Sequence, residues 1–307
     1  MKIDKRNNYI LLAENFYLNG NKENAIKFYK KALFYDGPEE DTLIIMSNIA
    51  AIYGELEKFE EALGMYNRII DFDSQNYEVY FNMALIEEQR SNIDVALSFY
   101  DKVVEINPTF GKAYYNIATI YDNLGDREKA IEFFYKVLVY CPKDYISYNN
   151  IGSIYEEMGE YDLAYSMIKK SIAINPQFYK SLFNMGVVYK RLNNHEKSLE
   201  YYNKAKEYNP KYHYIYLNMS AIYIEDKEYL KSIEILTEGI NNNPEAHDLY
   251  YNRACSYALL VNEDLAIKDI RKALILNPSL IKWVIKDKDF YCLYDNEEFN
   301  SIVNQYS

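Results

Sequence analysis

The stretch GKAYYNIATIYDNLGDREKAIEFFYKVLVYCPKD, residues 111–144, decides the fold. Its first half carries apolar residues spaced i, i+3, i+4 and i+7, which predict one face of a helix: Tyr114, Ile117, Ala118 and Tyr121. Gly125 and Asp126 then interrupt the pattern, as turn residues do. A second apolar set with helical spacing ends before Pro142 and consists of Ala130, Phe134 and Val137. The stretch therefore predicts two helices joined by a tight turn.

This unit recurs along the chain at a fixed interval. Prolines follow one another every 34 residues, at Pro108, Pro142, Pro176, Pro210, Pro244 and Pro278. A small residue, alanine or serine, stands 12 residues before each of them. One upstream unit is offset by 37 residues, which places three extra residues near residues 37–41. The spacing predicts eight repeats, over residues 6–39, 43–76, 77–110, 111–144, 145–178, 179–212, 213–246 and 247–280, and a C-terminal cap over 281–307.

The residues inside each repeat follow a common pattern. With position 1 as the first residue, aromatic residues favour positions 4 and 11, and small residues occupy positions 8 and 20. Together with proline at position 32, this pattern resembles the tetratricopeptide repeat. The resemblance implies an all-α fold, a tetratricopeptide-repeat solenoid in which helix–turn–helix units form a right-handed superhelix, as a single domain over residues 1–307. Because one helix pair cannot bury its apolar face alone, we expect most of the 35 tyrosines to pack between stacked helices.

Composition argues against several functions. Lys and Arg number 34 against 46 Asp and Glu, and the net charge of −12 disfavours a nucleic-acid partner. No apolar stretch approaches the length of about 18 residues that a membrane span needs. The 3 cysteines are isolated, which fits a reducing compartment. We therefore expect a cytoplasmic protein without membrane insertion.

No sequence pattern indicates a catalytic, cofactor or metal site. The chain lacks phosphate-binding, dinucleotide-binding and zinc-protease motifs, and it has only 3 histidines. His213 and His247 hold equivalent positions in adjacent repeats, which helix packing places about 8–10 Å apart, too far to share one ion. Cys255 is expected on an exposed inner face with no histidine or carboxylate placed to activate it. We predict a protein that is not an enzyme and has no catalytic residue, cofactor or metal.

Asparagine recurs at position 6 of repeats two to eight: Asn48, Asn82, Asn116, Asn150, Asn184, Asn218 and Asn252. In the arrays that this sequence resembles, the first helices line a concave surface, which implies that these side chains form a ladder along it. An asparagine amide offers one acceptor and two donors, so it can pair with the C=O and N–H of an extended peptide. The alternative is structural, because the same amides can hydrogen-bond to neighbouring helices.

Specificity for a partner is expected from positions 2, 5 and 9, which share the stripe of the ladder. Position 5 carries aromatic residues at Phe81, Tyr115, Phe183 and Tyr251, with Asn149 and Leu217 in the other two of these repeats. Apolar residues that recur on a concave face suggest pockets for partner side chains. Lys112 and Lys180 at position 2 add positive charge. These residues complete the predicted peptide-binding set.

The predicted function is protein–protein interaction, by a scaffold or adaptor that binds an extended peptide segment of a partner protein in the groove. Two alternatives stay open. The chain could act as an assembly factor, by self-association or by docking through surfaces outside the groove, or it could regulate an enzyme in trans.

Overall fold

The computed structural model describes residues 2–306, with side chains from residue 5 onward, so residues 1 and 307 of the expected domain lie outside the described part. Within residues 2–306 the chain consists of α-helices, short 3-10 helices and their connections, and no strand occurs. The all-α repeat fold is therefore confirmed. No helix in this range is both long enough and apolar enough to cross a bilayer.

Each repeat contributes a first and a second helix. The first helices are α1 (Lys2–Leu18), α3 (Glu39–Glu55), α5 (Tyr77–Gln89), α7 (Gly111–Asn123), α9 (Tyr145–Glu157), α11 (Tyr179–Arg191), α13 (Tyr214–Glu225) and α15 (His247–Leu259). The second helices are α2 (Lys22–Ala32), α4 (Phe59–Phe72), α6 (Ile93–Ile106), α8 (Arg127–Tyr140), α10 (Tyr161–Ile174), α12 (His195–Tyr208), α14 (Tyr229–Asn242) and α16 (Glu263–Leu276). By spatial contact they group into two compact units, Met1–Pro142 and Lys143–Ser307.

Helix α3 begins before the start that the spacing predicts for the second repeat. The repeat pattern places its start at Leu43, whereas α3 begins at Glu39, with Pro38 at the N-cap. Residues near the three-residue insertion, Glu39, Glu40 and Asp41, therefore form the first turn of α3 and make this helix longer.

The turn inside each repeat needs a left-handed backbone at position 15. Gly20, Gly125 and Gly159 adopt φ of 77°, 79° and 80° there, which glycine does without a steric penalty. The other repeats place residues with a Cβ in the same conformation, with φ between 55° and 62°: Glu57, Ser91, Asn193, Lys227 and Val261. The geometry of the turn is therefore imposed by the packing of the two helices, even on β-branched Val261.

Small residues at position 8 allow the two helices of a repeat to approach closely. A Cβ added at Gly152 would lie 2.5 Å from a side-chain carbon of Ile168. At Gly186 it would lie 2.6 Å from the ring of Tyr202. Both distances are well below van der Waals contact, so glycine at these two positions leaves the room that the large residue at position 24 occupies.

Aromatic residues at position 11 stack on an aromatic residue at position 23 of the same repeat. The ring centroids of Tyr121 and Phe133 are 5.7 Å apart, and those of Tyr189 and Tyr201 are 5.5 Å apart. Such stacked pairs add to the stability that apolar burial provides. These tyrosines therefore pack between helices, as the repeat pattern predicts.

The C-terminal segment covers the last helix pair. After α16 the chain forms a 3-10 turn (Pro278–Leu280), α17 (Ile281–Val284), a second 3-10 helix (Lys288–Leu293) and α18 (Glu297–Tyr306). Six buried side chains of this segment join those of α15 and α16 in one apolar cluster: Ile281, Val284, Phe290, Leu293, Phe299 and Ile302. The segment thereby acts as a cap.

The opposite end of the repeat series is open. Leu11, Leu12 and Leu18 on α1 are 62%, 42% and 83% exposed. The first helices α3, α5 and α7 each pack against the second helix of the preceding repeat. Among the described residues α1 has no such neighbour, so its apolar side chains face solvent.

Candidate peptide-binding surface

All seven asparagines of the predicted ladder lie at equivalent places on first helices, from α3 to α15, and all are half-buried. Three belong to the first unit, namely Asn48, Asn82 and Asn116, and the other four belong to the second unit. A half-buried amide is accessible to a partner, but it also contacts neighbouring helices. Its hydrogen bonds therefore decide between the two interpretations of the sequence.

Asn116 is held by a chain of two hydrogen bonds. Its Nδ2 donates to the hydroxyl of Tyr100 over 2.8 Å, and that hydroxyl donates to a carboxylate oxygen of Glu88. Burial and the bond to Glu88 raise the pKa of Tyr100, so the hydroxyl keeps its proton. Asn48 points its Nδ2 at the hydroxyl of Tyr29 over 3.4 Å in the same way. Each amide uses one donor on these bonds and keeps other hydrogen-bonding capacity for a partner.

Asn82 differs from both. Its side chain makes no hydrogen bond with any residue in the described part of the chain, although Tyr66 stands at the position that corresponds to Tyr100. Burial raises the pKa of Tyr66 to about 12. Asn82 is therefore a ladder residue without a structural hydrogen bond among residues 5–306.

The second unit holds its ladder amides in three ways. The hydroxyl of Tyr202 donates to Asn218 Oδ1 over 3.3 Å, as its counterparts contact Asn116 and Asn48. Asn252 donates its Nδ2 to the backbone carbonyl of Asp248, one turn earlier in α15, over 2.9 Å. Two further amides contact another asparagine: Asn149 donates to Asn150 over 3.3 Å and accepts from Asn184 over 3.1 Å. The repeat pattern does not predict these differences between the repeats.

Asn149 itself does not line a pocket for a partner side chain. It shares position 5 with the half-buried aromatic residues, but its shorter side chain is only 4% exposed. Ser181 and Asn184 of α11 both donate hydrogen bonds to its amide oxygen. Asn149 therefore packs between the first helices of two repeats.

A cavity of about 470 Å³ opens beside the ladder in the second unit. Its walls combine one ladder amide with apolar and charged side chains: Tyr161, Val187, Lys190, Arg191, Asn193, Asn218 and Glu225. Lys190 pairs with Glu225 over 2.9 Å, and Arg191 pairs with Glu156 over 2.7 Å. The cavity is large enough to admit a side chain of a partner and is lined by groups of both charges.

The aromatic residues at position 5 are half-buried and pack on other rings. Phe81 lies 5.7 Å from Tyr100 and 5.1 Å from Phe110, and Tyr115 lies 5.6 Å from Phe134. In the second unit Phe183 contacts two tyrosines, and Tyr251 packs against Phe290 of the cap. These rings therefore contribute to the core on one side and remain partly accessible on the other.

The two lysines at position 2 are fully on the surface. Lys112 on α7 and Lys180 on α11 are exposed, and neither forms an ion pair with a described residue. A lysine side chain is long and flexible, so it can move to meet an anionic group of a partner. Their placement is compatible with contact to a partner.

Cys255 corrects one expectation. It was expected on an exposed face without a neighbouring carboxylate, but it is buried under the cap, 4% exposed, and its Sγ lies 3.9 Å from Asp287. Burial and the nearby carboxylates raise the pKa of this thiol well above its usual value, so it is not an activated nucleophile.

The carboxylate beside Cys255 is already used by the protein. Asp287 accepts a hydrogen bond from the hydroxyl of Tyr251 over 2.5 Å and another from the backbone N–H of Asp289 over 3.0 Å. Cys255, Asp287 and Asp289 have ligand atoms within 4.8 Å of one another. Asp287 is thus bonded both to α15, through Tyr251, and to the backbone of Asp289 within the cap.

The Asp289→Asn variant is expected to be more heat-stable than wild type at pH 7. Burial and the charge of Asp287 raise the pKa of Asp289 from 3.8. The folded state thus binds this proton more tightly than the unfolded state does, so stability falls as the pH rises above about 3.8. Thermal melts followed by circular dichroism should show a gain that shrinks as the pH is lowered toward about 4. An equal gain in the control Asp295→Asn, which changes an exposed carboxylate, would contradict this assignment.

Two histidines that share a repeat position have separate protein partners. His213 Nε2 lies 3.1 Å from a carboxylate oxygen of Asp248. His247 Nε2 lies 3.2 Å from Asn277 Nδ2. Each ring is therefore engaged within its own neighbourhood.

Known structures with the same fold cover almost the whole chain. A tetratricopeptide repeat protein from Parabacteroides merdae is 15% identical, with a TM-score of 0.56, over 99% of both chains. PilF of Pseudomonas aeruginosa is 17% identical, with a TM-score of 0.56, over 75% of this chain and 97% of that one. The Cut9–Hcn1 assembly of the APC/C is 15% identical, with a TM-score of 0.57, over 96% of this chain and 54% of that one. At these identities the likeness shows the fold alone.

A comparison with curated proteins finds no match. Family models described as tetratricopeptide repeat match residues 7–36, 49–109, 111–144, 145–178, 179–212 and 247–280. The matched segments make up well over half of the sequence. The chain therefore belongs to the tetratricopeptide repeat family.

Proposed function

We propose that this protein binds an extended segment of a partner protein, whose backbone pairs with the asparagine amides of the first helices. Tetratricopeptide repeats generally mediate protein–protein interaction or scaffolding. The binding role is assigned to the ladder within each unit: Asn48, Asn82 and Asn116 in one, and Asn150, Asn184, Asn218 and Asn252 in the other. The protein acts by binding and not by catalysis, and it works in the cytoplasm.

The observation that carries the proposal is the state of Asn82. A half-buried amide without a hydrogen bond in the described structure is unfavourable unless water or a ligand supplies one. Since its counterparts Asn48 and Asn116 are oriented by tyrosine hydroxyls, the ladder is not explained by a uniform structural role. An extended peptide supplies a C=O and an N–H at each residue, which are the groups that an amide pairs with.

Side-chain selectivity is assigned to the accessible edges of Phe81, Tyr115, Phe183 and Tyr251, to Lys112 and Lys180, and to the cavity beside Asn218. Aromatic rings fixed on one side by packing offer a rigid contact area at little entropic cost. The amides bind any sequence, whereas these groups discriminate among sequences. Because the cavity has both a cationic and an anionic wall, it favours polar over large apolar side chains.

The Asn82→Ala variant tests the proposal most directly. The probe is the dodecamer peptide that the immobilised full-length protein enriches most from a random phage-displayed library, made with a fluorophore. We expect Asn82→Ala to weaken binding of this peptide about fivefold, which is the binding free energy of about one net hydrogen bond. The melting temperature should stay unchanged. Fluorescence anisotropy gives the affinity, and circular dichroism gives the melting temperature.

Asn67→Ala is the matched control. Asn67 is exposed on the second helix α4 of the neighbouring repeat and has no hydrogen bond to a described residue. Its replacement should leave peptide affinity unchanged. A library that yields no enriched peptide, or equal affinities for wild type and Asn82→Ala, would contradict peptide binding by the ladder.

The open face of α1 favours assembly as a second candidate. Its exposed leucines form an apolar surface of the kind that protein interfaces cover. In that case Leu11→Asp, together with Leu18→Asp, should abolish self-association in sedimentation velocity while leaving binding of the dodecamer intact. A wild-type chain that sediments as a monomer at high concentration would count against self-association.

A further inference from the structure

The floor of the groove between the fifth and sixth repeats is polar where the other repeats are apolar. Asn149 stands at position 5, which elsewhere in repeats three to eight holds an aromatic residue or leucine. Ser171 on α10 stands where the preceding repeat has Val137, and Ser181 on α11 stands where the following repeat has Ile215. Asn149 is 4% exposed, and both serines are 0% exposed. Three buried polar residues thus lie together in a region where apolar side chains are normally expected.

These residues are linked by short hydrogen bonds. Ser171 Oγ lies 2.6 Å from the backbone carbonyl oxygen of Tyr145 and 2.7 Å from Ser181 Oγ. Ser181 Oγ lies 3.0 Å from Asn149 Oδ1. The two serines therefore anchor the Asn149 amide to the backbone of α9 and to α11. An amide held in this way has a fixed plane and a fixed position.

The anchored amide contacts the ladder on two sides. Asn149 Nδ2 donates to Asn150 Oδ1 over 3.3 Å, and Asn149 Oδ1 accepts from Asn184 Nδ2 over 3.1 Å. Asn150 and Asn184 are the ladder residues of consecutive repeats. Asn149 thus links the amides of two consecutive ladder residues.

Elsewhere the same task falls to a tyrosine. Tyr100 orients Asn116, and Tyr202 contacts Asn218, in each case from position 24 of the preceding repeat. The residue that corresponds for Asn184 is Ile168, which has no polar atom in its side chain. The ladder would lose its orienting contact at this repeat if Asn149 did not supply it.

We infer that Asn149 is a positioning residue for partner binding, which holds Asn150 and Asn184 in the orientation that receives the backbone of an extended peptide. The inference rests on the proposed function, since it concerns the same ladder. Asn149 does not touch the partner, and it acts by removing the rotational freedom of two amides before the partner arrives. Its loss should therefore reduce affinity beyond any effect on folding.

The Asn149→Leu variant, of similar size, removes both links to the ladder. We expect it to weaken binding of the dodecamer defined above about fivefold, as about one hydrogen bond is worth. Ser232→Ala is the matched control, because it removes a buried serine hydrogen bond, to Ser256 Oγ over 2.8 Å, that joins α14 to α15 and does not involve Asn149. Both variants should melt below wild type, while Ser232→Ala keeps wild-type affinity.

A rescue separates orientation from mere burial. Adding Ile168→Tyr to Asn149→Leu introduces a hydroxyl at position 24, where Tyr202 stands in the next repeat. Gly152 leaves space beside residue 168, as Gly186 does beside Tyr202. We expect the double variant to recover the affinity for the peptide. Should Asn149→Leu fail to fold, Asn149→Ser replaces it, since a serine hydroxyl is too short to reach the two ladder amides.

The outcomes distinguish this inference from the proposed function. If Asn184→Ala weakens peptide binding and Asn149→Leu does not, Asn149 has no positioning role and the ladder survives as the binding element. If Asn149→Leu and Ser232→Ala lose affinity equally, the loss follows from reduced stability alone and the inference is wrong. If neither Asn82→Ala nor Asn184→Ala changes affinity, the ladder itself is not the binding element and both proposals fail.

Discussion

Replacing Asp269 by alanine is expected to lower the free energy of unfolding of the second unit by about 3–5 kcal/mol. Asp269 is 4% exposed, and its two carboxylate oxygens accept from Arg253 over 2.6 Å and 2.8 Å. Arg253 also donates to Thr237 over 2.9 Å. Removal of the carboxylate leaves the guanidinium largely buried without its counter-ion. The effect is large because the cost of removing this charge from water is then no longer offset by attraction to Asp269.

Urea denaturation followed by circular dichroism measures this change without adding salt. The control is Glu200→Ala, which removes an exposed ion pair with Lys204 and should cost less than about 1 kcal/mol. Replacing both partners, by Asp269→Leu with Arg253→Met, should restore much of the loss because no buried charge remains. A loss from Asp269→Ala as small as that of the control would show that water reaches Arg253.

The second large effect is expected at the cap. Phe290→Ala should lower the free energy of unfolding by about 3–5 kcal/mol, as truncation of a buried aromatic residue does. Phe290 is 0% exposed, lies 5.7 Å from the ring of Tyr251, and joins the cluster that covers α15 and α16. Its loss leaves a cavity between the cap and the last repeat, which weakens the attachment of the cap.

Tyr291→Ala is the control for this prediction, because Tyr291 follows Phe290 in the chain but its own side chain is 58% exposed. We expect it to change stability by less than about 1 kcal/mol. Binding of the dye ANS should rise in Phe290→Ala, because a detached cap uncovers apolar surface. Equal stabilities for the two variants would mean that the cap unfolds separately from the repeats that it covers.

The sequence predicts the helices well because the pattern is repeated. The starts at Tyr77, Gly111, Tyr145 and Tyr179 agree with the helices that the structure contains. Helix α3 begins at Glu39, before the start that the spacing predicts for its repeat, and this has a physical reason. Glu39, Glu40 and Asp41 form its first turn, where acidic side chains interact favourably with the free N–H groups of a helix. The extra residues were therefore suited to extend a helix instead of forming a loop.

The contacts of the candidate site were less accessible to sequence reasoning. Position 6 identifies Asn116 as a ladder residue, but its bond to Tyr100 depends on side-chain rotamers and on the approach of two helices. The burial of Asn149 does not follow from the repeat pattern, because the exposure of a residue at position 5 depends on the length of its side chain. The signal that was available was three polar residues at apolar positions of adjacent repeats, Asn149 with Ser171 and Ser181. Residues that break a repeat pattern are therefore as informative as those that define it.

The expectation for Cys255 failed for a related reason. Its environment is set by Asp287 and the rest of the cap, which lie outside the repeats and follow no periodic pattern. Periodicity predicts contacts between repeats and has no information about a segment that occurs once. The burial of Cys255 could be known only from the folded cap.

The open face of α1 has a consequence for the order in which the backbone opens. Because repeats are stabilised by their neighbours, a repeat covered on one side opens at a lower cost than one covered on both. Leu18, at 83% exposure, marks the uncovered side, whereas the buried Phe290 marks the covered end. In deuterium oxide the amides of α1 and α2 should accordingly exchange before those of α15 and α16, so that the isotope label enters the chain from its first repeat.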